Sequence, residues 1–589
     1  MNAGMHRRAG LVCILFALIF SVYSARLIHL QVGKHEEYSQ LAADNTGTKK
    51  VVSAERGRIT DVHGEALADN VPIYAVVVDG KLVSEAKMDR AALAEVLSRH
   101  LNEPLAQISE RIASDRAYIV VQRQVPAEAV AALKDELGAK DLRGVVCEKE
   151  PKRNYPNETM LSHVVGYLDR EGKGIQGVEM MMDPYLRGED GFRWIEKDRT
   201  GREIVAYRGM ERPARDGMTV ALTVDMELQA IVERELDQAY AMLNPTMMTA
   251  VFVRPRTGEI LAMATRPAFN PNTYNSAAVE TTKNRAIIDM YEPGSTFKLV
   301  VISAALNENA VSPESQFFCE NGNFAYAGKN LRDVHPYGTL SVHDILVKSS
   351  NIGCAKVAMH IGTDTFYDYI RRFGFGERTG IGLPGEIPGV VRPRHAWTSL
   401  SITRVPMGHE IAVTPLQIAM AMATIANHGT MMMPQIIHSV RDQSGREVVS
   451  FTPQEVRQVV SSETAAKVAS ALQDVVSEHG TARLGAIPGY HVAGKTGTAQ
   501  RVDPKGGYTT GKYVVSFAGY FPAGDPEVAG IVVVDDPRTP GATVYGGTIA
   551  APIFARIGAG MARELDLPPE TDEALGATVA LVPFSPPIN

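Results

Sequence analysis

The sequence predicts an α+β protein: an apolar N-terminal span, a mixed α/β region, then a domain built on one antiparallel sheet flanked by helices. Three observations carry this. TAVFVRPRTGEILAMAT reads as a β-hairpin around Arg256-Thr257-Gly258. YVVSFAGYF and VAGIVVVDD repeat that pattern around Ala523-Gly524-Asp525-Pro526. Between them the apolar residues fall at helical spacing, as in Pro415 to Asn427 and Glu463 to Ser477.

In chain order, the uncharged stretch Ala9 to Ala25 comes first, and Leu27, Ile28, Leu30 and Val32 extend its apolar face. It meets the roughly 17–25 residues that a membrane helix needs. The rival reading is a cleaved signal peptide, but a cut after Ala25 would place bulky Tyr23 where a small residue belongs. Arg7 and Arg8 precede the span while Arg26 and Lys34 follow it, so charge sets orientation weakly. The expectation is a single-pass anchor at 9–32 in the cytoplasmic (inner) membrane, with a cytoplasmic tail at 1–8 and residues 33–589 outside the cytoplasm.

From Lys50 to about Arg215, β-like runs (IYAVVVDG, AYIVVQRQV) mix with helical stretches such as Asp89 to His100. Composition shifts near Ala214–Asp216, which sets expected limits of 33–215 and 216–566 for the two folded regions. TVALTVD then reads as a strand, MELQAIVERELDQAYAML as a helix and TIAAPIFARIGAGMAREL as the terminal helix. The proline-rich residues 567–589 read as a loose tail.

At 589 residues the chain predicts two to four domains, and 45% hydrophobic with 22% charged residues is a globular composition. A net charge of −7 without a long Lys/Arg run gives no footprint for nucleic acid. The four cysteines, Cys13, Cys147, Cys319 and Cys354, show no zinc-like pairing and support no disulfide framework. His409 and Glu410 lack a second ligand pair at suitable spacing, so no metal and no cofactor is expected.

Three motifs carry chemistry. Tyr291-Glu292-Pro293-Gly294 is a turn, and Ser295-Thr296-Phe297-Lys298 opens an apolar helix, so Lys298 projects one turn beyond Ser295. A desolvated lysine held near neutrality can take a serine proton without any histidine. S-x-x-K alone is weak, because Ser84 to Lys87 repeats it without the turn-to-helix setting, and a capping serine with a surface lysine explains an isolated match. Ser349-Ser350-Asn351 interrupts an apolar stretch: it is either a plain helix cap, or Ser349 relays a proton while Asn351 holds Lys298 and a substrate amide. In Gly494-Lys495-Thr496-Gly497-Thr498, read as a strand at the edge of the site, Lys495 offers charge to a carboxylate and the Thr496 and Thr498 hydroxyls can bond it. Gly497 would let a substrate backbone approach. The alternative there is a glycine turn. Arg501 to Lys512 reads as a mobile loop beside the cleft.

The three motifs in this order are those of β-lactamases and penicillin-binding proteins. Over nearly its whole length the chain resembles the class B penicillin-binding proteins. The residues that carry this are RLIHLQV after the anchor, Arg56-Gly57-Arg58-Ile59-Thr60-Asp61, Arg153-Asn154-Tyr155-Pro156, Gly177-Val178-Glu179, LTVDMELQ and VTPLQIAMAMATIANHG. SSN followed by Ile-Gly looks more like the division type, penicillin-binding protein 3, than the elongation type. Met407-Gly408-His409-Glu410 departs from the family, standing where a more Gly-rich turn is usual.

The resemblance implies an elongated pedestal at 33–215, a penicillin-binding transpeptidase domain at 216–566, and cross-linking of peptidoglycan stem peptides ending in D-Ala-D-Ala. It implies Ser295 as nucleophile, Lys298 as base, Ser349 and Asn351 as catalytic partners, Lys495, Thr496, Gly497 and Thr498 as substrate-binding residues, and the N–H groups of Ser295 and Thr498 as oxyanion donors. β-Lactams are expected as covalent inhibitors, with the membrane, a SEDS-family glycan polymerase and other division proteins as partners. Other readings of the trio are an elongation-type enzyme, a D,D-carboxypeptidase or β-lactamase-like hydrolase, and a β-lactam sensor or non-catalytic division scaffold.

Overall fold

The N-terminal helix runs Ala3–Ile28, as its apolar composition predicts. Arg7–Gly33 is, among the described residues, the one helical stretch long and apolar enough to cross a membrane. The structure is a computed structural model and describes residues 3–38, 47–196, 211–503, 506–538 and 544–571. Most of the expected C-terminal tail, 572–589, therefore lies outside the described residues.

Two compact units share the chain in alternating pieces. One takes Met1–Glu55, Pro72–Lys152 and Gly188–Gly217; the other takes Arg56–Val71, Arg153–Arg187 and Met218–Asn589. In the first, the C-terminal part of strand Ala66–Val78 pairs antiparallel with Ile119–Pro126. Helices Arg90–Leu101 and Ala127–Ala139 pack together there, over a core that includes Val76, Val78, Leu93, Leu97, Val121 and Leu133. Asp89 starts the first helix by accepting the N–H groups of Ala91 and Ala92. The second S-x-x-K belongs here: Ser84 sits on a short helix with its hydroxyl bound to Asp115, and Lys87 is exposed. That pair has no catalytic setting.

The second unit is built on helix α1 (Met226–Leu243), strands β1 (Met247–Val253) and β2 (Ile260–Arg266), helices α2 (Lys298–Asn307), α3 (Asn351–Ile361), α4 (Pro415–Ala426) and α5 (Ser462–Val476), strands β3 (Ala493–Val502), β4 (Tyr508–Phe521) and β5 (Val528–Asp535), and helix α6 (Gly546–Glu564). The strands form one antiparallel sheet in the order β2-β1-β5-β4-β3, the arrangement that the two hairpins predict. Its alternating residues feed two cores, so both faces are covered. Val251, Val253, Ile531 and Val533 join the core that contains α2 and α4, whereas Ala250, Phe252, Val532 and Val534 join the one with α1 and α6. β3, with the KTGT sequence, is left at the edge.

The Arg56, Arg153 and Glu179 motifs meet inside this unit. Glu179, with no exposed surface, receives Arg56 Nε at 2.8 Å and Arg153 Nε at 2.7 Å, and Arg56 also bonds Asp183 at 2.7 Å. Charges this deeply placed persist only when paired, which explains why three separated sequence motifs belong to one structural knot.

The 501–512 segment differs from its reading as a loop. Val502 pairs with Tyr508, so β3 and β4 continue as a hairpin that closes at Asp503–Gly507. Residues 504–505 lie outside the described residues. All four cysteines are free thiols.

Candidate active site

Ser295 sits on a 3₁₀ turn, Gly294–Phe297, that runs directly into α2 at Lys298. In 3₁₀ geometry residues i and i+3 eclipse, which stacks Lys298 over Ser295 more directly than an α-helix would. The turn is locked by two glycines. Gly294 has φ +56°, and a Cβ there would meet the Thr498 carbonyl oxygen at 2.8 Å. Gly408 has φ +77°, and its Cβ would lie 2.2 Å from the Gly294 oxygen. Gly497 serves the same contact: the space for its Cβ is taken by Ser516 Oγ and the Pro293 carbonyl. Whatever approaches from the open side, this glycine lets β3 close on the nucleophile turn.

Lys298 is fully buried at the N-terminus of α2. Its Nζ donates to the Ser349 carbonyl, to Asn351 Oδ1 at 2.8 Å and to Ser349 Oγ at 3.0 Å. Two of these partners are pure acceptors and take both N–H groups of a neutral amine; the third position faces a hydroxyl that can give or take a proton. Lys495, also fully buried, reaches the same Ser349 Oγ at 3.0 Å. Burial holds Lys298 below the ordinary lysine range. Lys495 lies well below it, through burial and then repulsion by Lys298. Two ammonium groups cannot both donate to one buried hydroxyl at low cost, so the shared Ser349 contact disfavours the doubly charged pair.

Ser349 holds φ +61°, a left-handed conformation that costs about 1–3 kcal/mol in a non-glycine residue. The strain turns both its carbonyl and its hydroxyl toward Lys298. Ser350 is the cap of α3, accepting the Gly353 N–H at 2.9 Å. The two readings of this motif therefore divide between neighbours: Ser350 caps, while Ser349 and Asn351 face the lysines.

Thr496 Oγ1 lies 3.4 Å from Lys495 Nζ, and Thr498 Oγ1 accepts the Gly546 N–H that opens α6 at 3.1 Å. Thus Ser349, Asn351 and Lys495 gather around Lys298. Ser295 itself, half-buried, makes no side-chain hydrogen bond with Lys298 or any other described residue. Such contacts tighten when substrate arrives.

Sequence reasoning missed the contacts of two groups around this centre. Glu292, three residues before Ser295, accepts Glu410 N–H at 2.9 Å, Tyr508 OH at 3.0 Å and His409 Nδ1 at 2.8 Å. Because a carboxylate only accepts, His409 carries its proton on Nδ1. Asp333 holds the start of α3, accepting the Ser350 hydroxyl at 2.7 Å. Contacts made by residues so far apart in sequence leave no local pattern; the departure at His409-Glu410 was the one visible sign.

Residues 248–559 match the penicillin binding protein transpeptidase domain, and residues 51–222 the penicillin-binding protein dimerisation domain. The chain is 34% identical to the peptidoglycan D,D-transpeptidase FtsI of Escherichia coli over 561 residues, which span 95% of this chain and 91% of FtsI. It is 33% identical to stage V sporulation protein D of Bacillus subtilis over 576 residues, 97% and 88% of the two chains. Penicillin-binding protein 3 of Mycobacterium tuberculosis, complexed with aztreonam, superposes with a TM-score of 0.69 at 27% identity over 90% of this chain and all of that one. Penicillin-binding protein 2X of Streptococcus thermophilus does so with a TM-score of 0.76 at 25% identity, over 88% and 80%. A dimerisation domain ahead of a transpeptidase domain, with relatives of the FtsI and penicillin-binding protein 3 type, means that this chain belongs to the penicillin-binding protein transpeptidases and is a peptidoglycan D,D-transpeptidase of cell-wall synthesis.

Proposed function

We propose that the chain cross-links stem peptides during septal wall synthesis through an acyl-enzyme on Ser295. The observation that carries the reading is the Ser349 hydroxyl held between two buried lysines, one of them a single 3₁₀ turn beyond Ser295. Lys298 takes the Ser295 proton as Oγ attacks the carbonyl of the penultimate D-Ala. The backbone N–H groups of Ser295 and Thr498 hold the oxyanion, each donor contributing about 3 kcal/mol. Collapse expels the terminal D-Ala, whose nitrogen takes a proton through Ser349. The amine of a neighbouring stem then attacks the ester, returns the proton through Ser349 and Lys298, and restores Ser295. Asn351 orients Lys298 and a substrate amide, and Lys495, with Thr496 and Thr498, receives the substrate carboxylate. Edge strand β3, with Gly497, offers backbone groups to an extended peptide.

A hydrolase must deliver water to the acyl-enzyme, and one that does so with a carboxylate needs that group free. Glu292, the acidic residue beside Ser295 in sequence, has both oxygens engaged, which favours transfer to an amine over hydrolysis. In the cell, the span at 9–32 anchors the protein in the cytoplasmic membrane, with 1–8 inside and the pedestal (33–215) and transpeptidase (216–566) regions outside. There it works beside a SEDS-family glycan polymerase and other division proteins. The FtsI relatives support the septal assignment. The test is the lifetime of the penicillin adduct on the purified chain, with and without an amine acceptor. A long-lived adduct and acceptor-dependent transfer from a D-Ala-D-Ala peptide are expected, whereas rapid hydrolysis of the adduct contradicts the reading.

A further inference from the structure

Asp333 follows the strand Lys329–Arg332 and lies against the start of α3. Its Oδ1 accepts the N–H groups of Asn351 at 2.5 Å and Ile352 at 3.1 Å, and its Oδ2 accepts the Ser350 hydroxyl at 2.7 Å. The neighbouring Arg332 carbonyl accepts Asn351 Nδ2 at 2.9 Å. An amide whose nitrogen is committed to Arg332 must turn its oxygen the other way, and Asn351 Oδ1 accordingly meets Lys298 Nζ at 2.8 Å. The Arg332–Asp333 pair therefore decides which atom of Asn351 the lysine sees, and it holds the Ser350 hydroxyl and the Asn351 N–H just beyond strained Ser349.

We propose that Asp333 is a positioning residue for acylation, locking the Ser349–Asn351 turn onto Lys298 and supplying a negative charge beside that buried lysine. This rests on Lys298 acting as the base for Ser295. Capping is shared, Ser350 accepting the Gly353 N–H and Asp333 those of Asn351 and Ile352, and any acceptor could serve there. The charge is what capping does not explain. Among the described residues neither Lys298 nor Lys495 forms an ion pair; burial lowers Lys298, and Cys354 and then Asp333 oppose it, Asp333 being the carboxylate of the two. The other groups around it are Cys354 and Lys356 from α3, Cys319 and Tyr337 from the preceding segment, and its neighbours Arg332 and His335, with Lys495 beyond Ser349. Lys356 is engaged with Glu320 at 2.5 Å, and both thiols are held neutral by burial.

The experiment is acylation of the full-length chain in detergent by a fluorescent penicillin, with the limiting rate measured against pH and normalised to titrated active sites. Asp333→Asn keeps an oxygen for the α3 N–H groups but removes the charge. Its rate should approach wild type at high pH, with the acidic limb displaced downward by about half a pH unit or more. Asp333→Ala loses both contributions and should acylate on the order of tenfold more slowly per folded site. An Asp333→Asn curve that superimposes on wild type overturns the proposal, and that comparison decides even if Asp333→Ala fails to fold. Failure of the underlying reading looks different: Lys298→Ala would then acylate normally.

Discussion

Lys298 and Lys495 donate to one and the same hydroxyl, each Nζ standing 3.0 Å from Ser349 Oγ. They are therefore coupled, yet their losses should look different. Lys298→Ala removes the base and should lower the limiting acylation rate by on the order of 10²–10⁴. Lys495→Ala should mainly weaken productive binding, with a smaller fall at saturation. Stopped-flow acylation checks both; equal falls at saturation contradict the two roles.

Gly408 packs against the nucleophile turn with no room for a side chain. Gly408→Ala adds a Cβ against the Gly294 backbone at a φ that alanine rarely adopts. The expected cost is about 1–3 kcal/mol, and the displaced turn should slow acylation more than the loss of folded protein accounts for. Calorimetry and active-site titration on one sample separate the two effects.

Tyr508 ties the β3–β4 hairpin to the nucleophile turn through Glu292. Burial and the Glu292 charge push its phenol up, so it remains a donor at physiological pH. Tyr508→Phe should leave global stability within about 1 kcal/mol, while amide exchange at 506–512 quickens and acylation slows. Shortening 501–512 should likewise alter acylation more than stability. Unchanged acylation in both variants would reduce the hairpin to an ordinary connection.

Asp535 ends β5 with Oδ1 buried and unpaired, and desolvation raises its carboxyl to about 6, above the ordinary 3.8. A raised acidic pKa means that the folded state binds the proton more tightly than the unfolded one. Stability therefore falls as pH rises from about 4 to 6, and the full penalty, on the order of 3 kcal/mol, stands above 6. Asp535→Asn removes that penalty. Its thermal midpoint should exceed wild type at pH 7.5 and converge with it near pH 4. A gain of equal size at both pH values would contradict the assignment.

The sheet and its flanking helices were legible because each strand alternates between two apolar cores, giving Val251 and Phe252 opposite faces that a period of two reveals. Ser295 and Lys298 were legible because turn and helix are local. The hairpin at 501–512 was misread because Gly506 and Gly507 drew attention to a loop, while the pairing of Val502 with Tyr508 leaves only a short signal. The roles of Asp333, Glu292 and Tyr508 were hidden for a different reason, and His409 showed only as a departure from the family pattern. Each is an ordinary polar residue on its own segment and acquires its role from partners that only folding brings near. Likewise, Gly497 reads in the sequence as room for a substrate backbone, whereas the structure fills its Cβ space with the protein's own Pro293 and Ser516.

Labelling at Ser295 tests the central claim most directly. The chain is incubated with a penicillin, its intact mass is recorded, and the adduct is located by peptide mapping. The account predicts one adduct per chain, on the peptide that holds Ser295, and none in Ser295→Ala. An adduct that survives Ser295→Ala, or that maps to another residue, would contradict it.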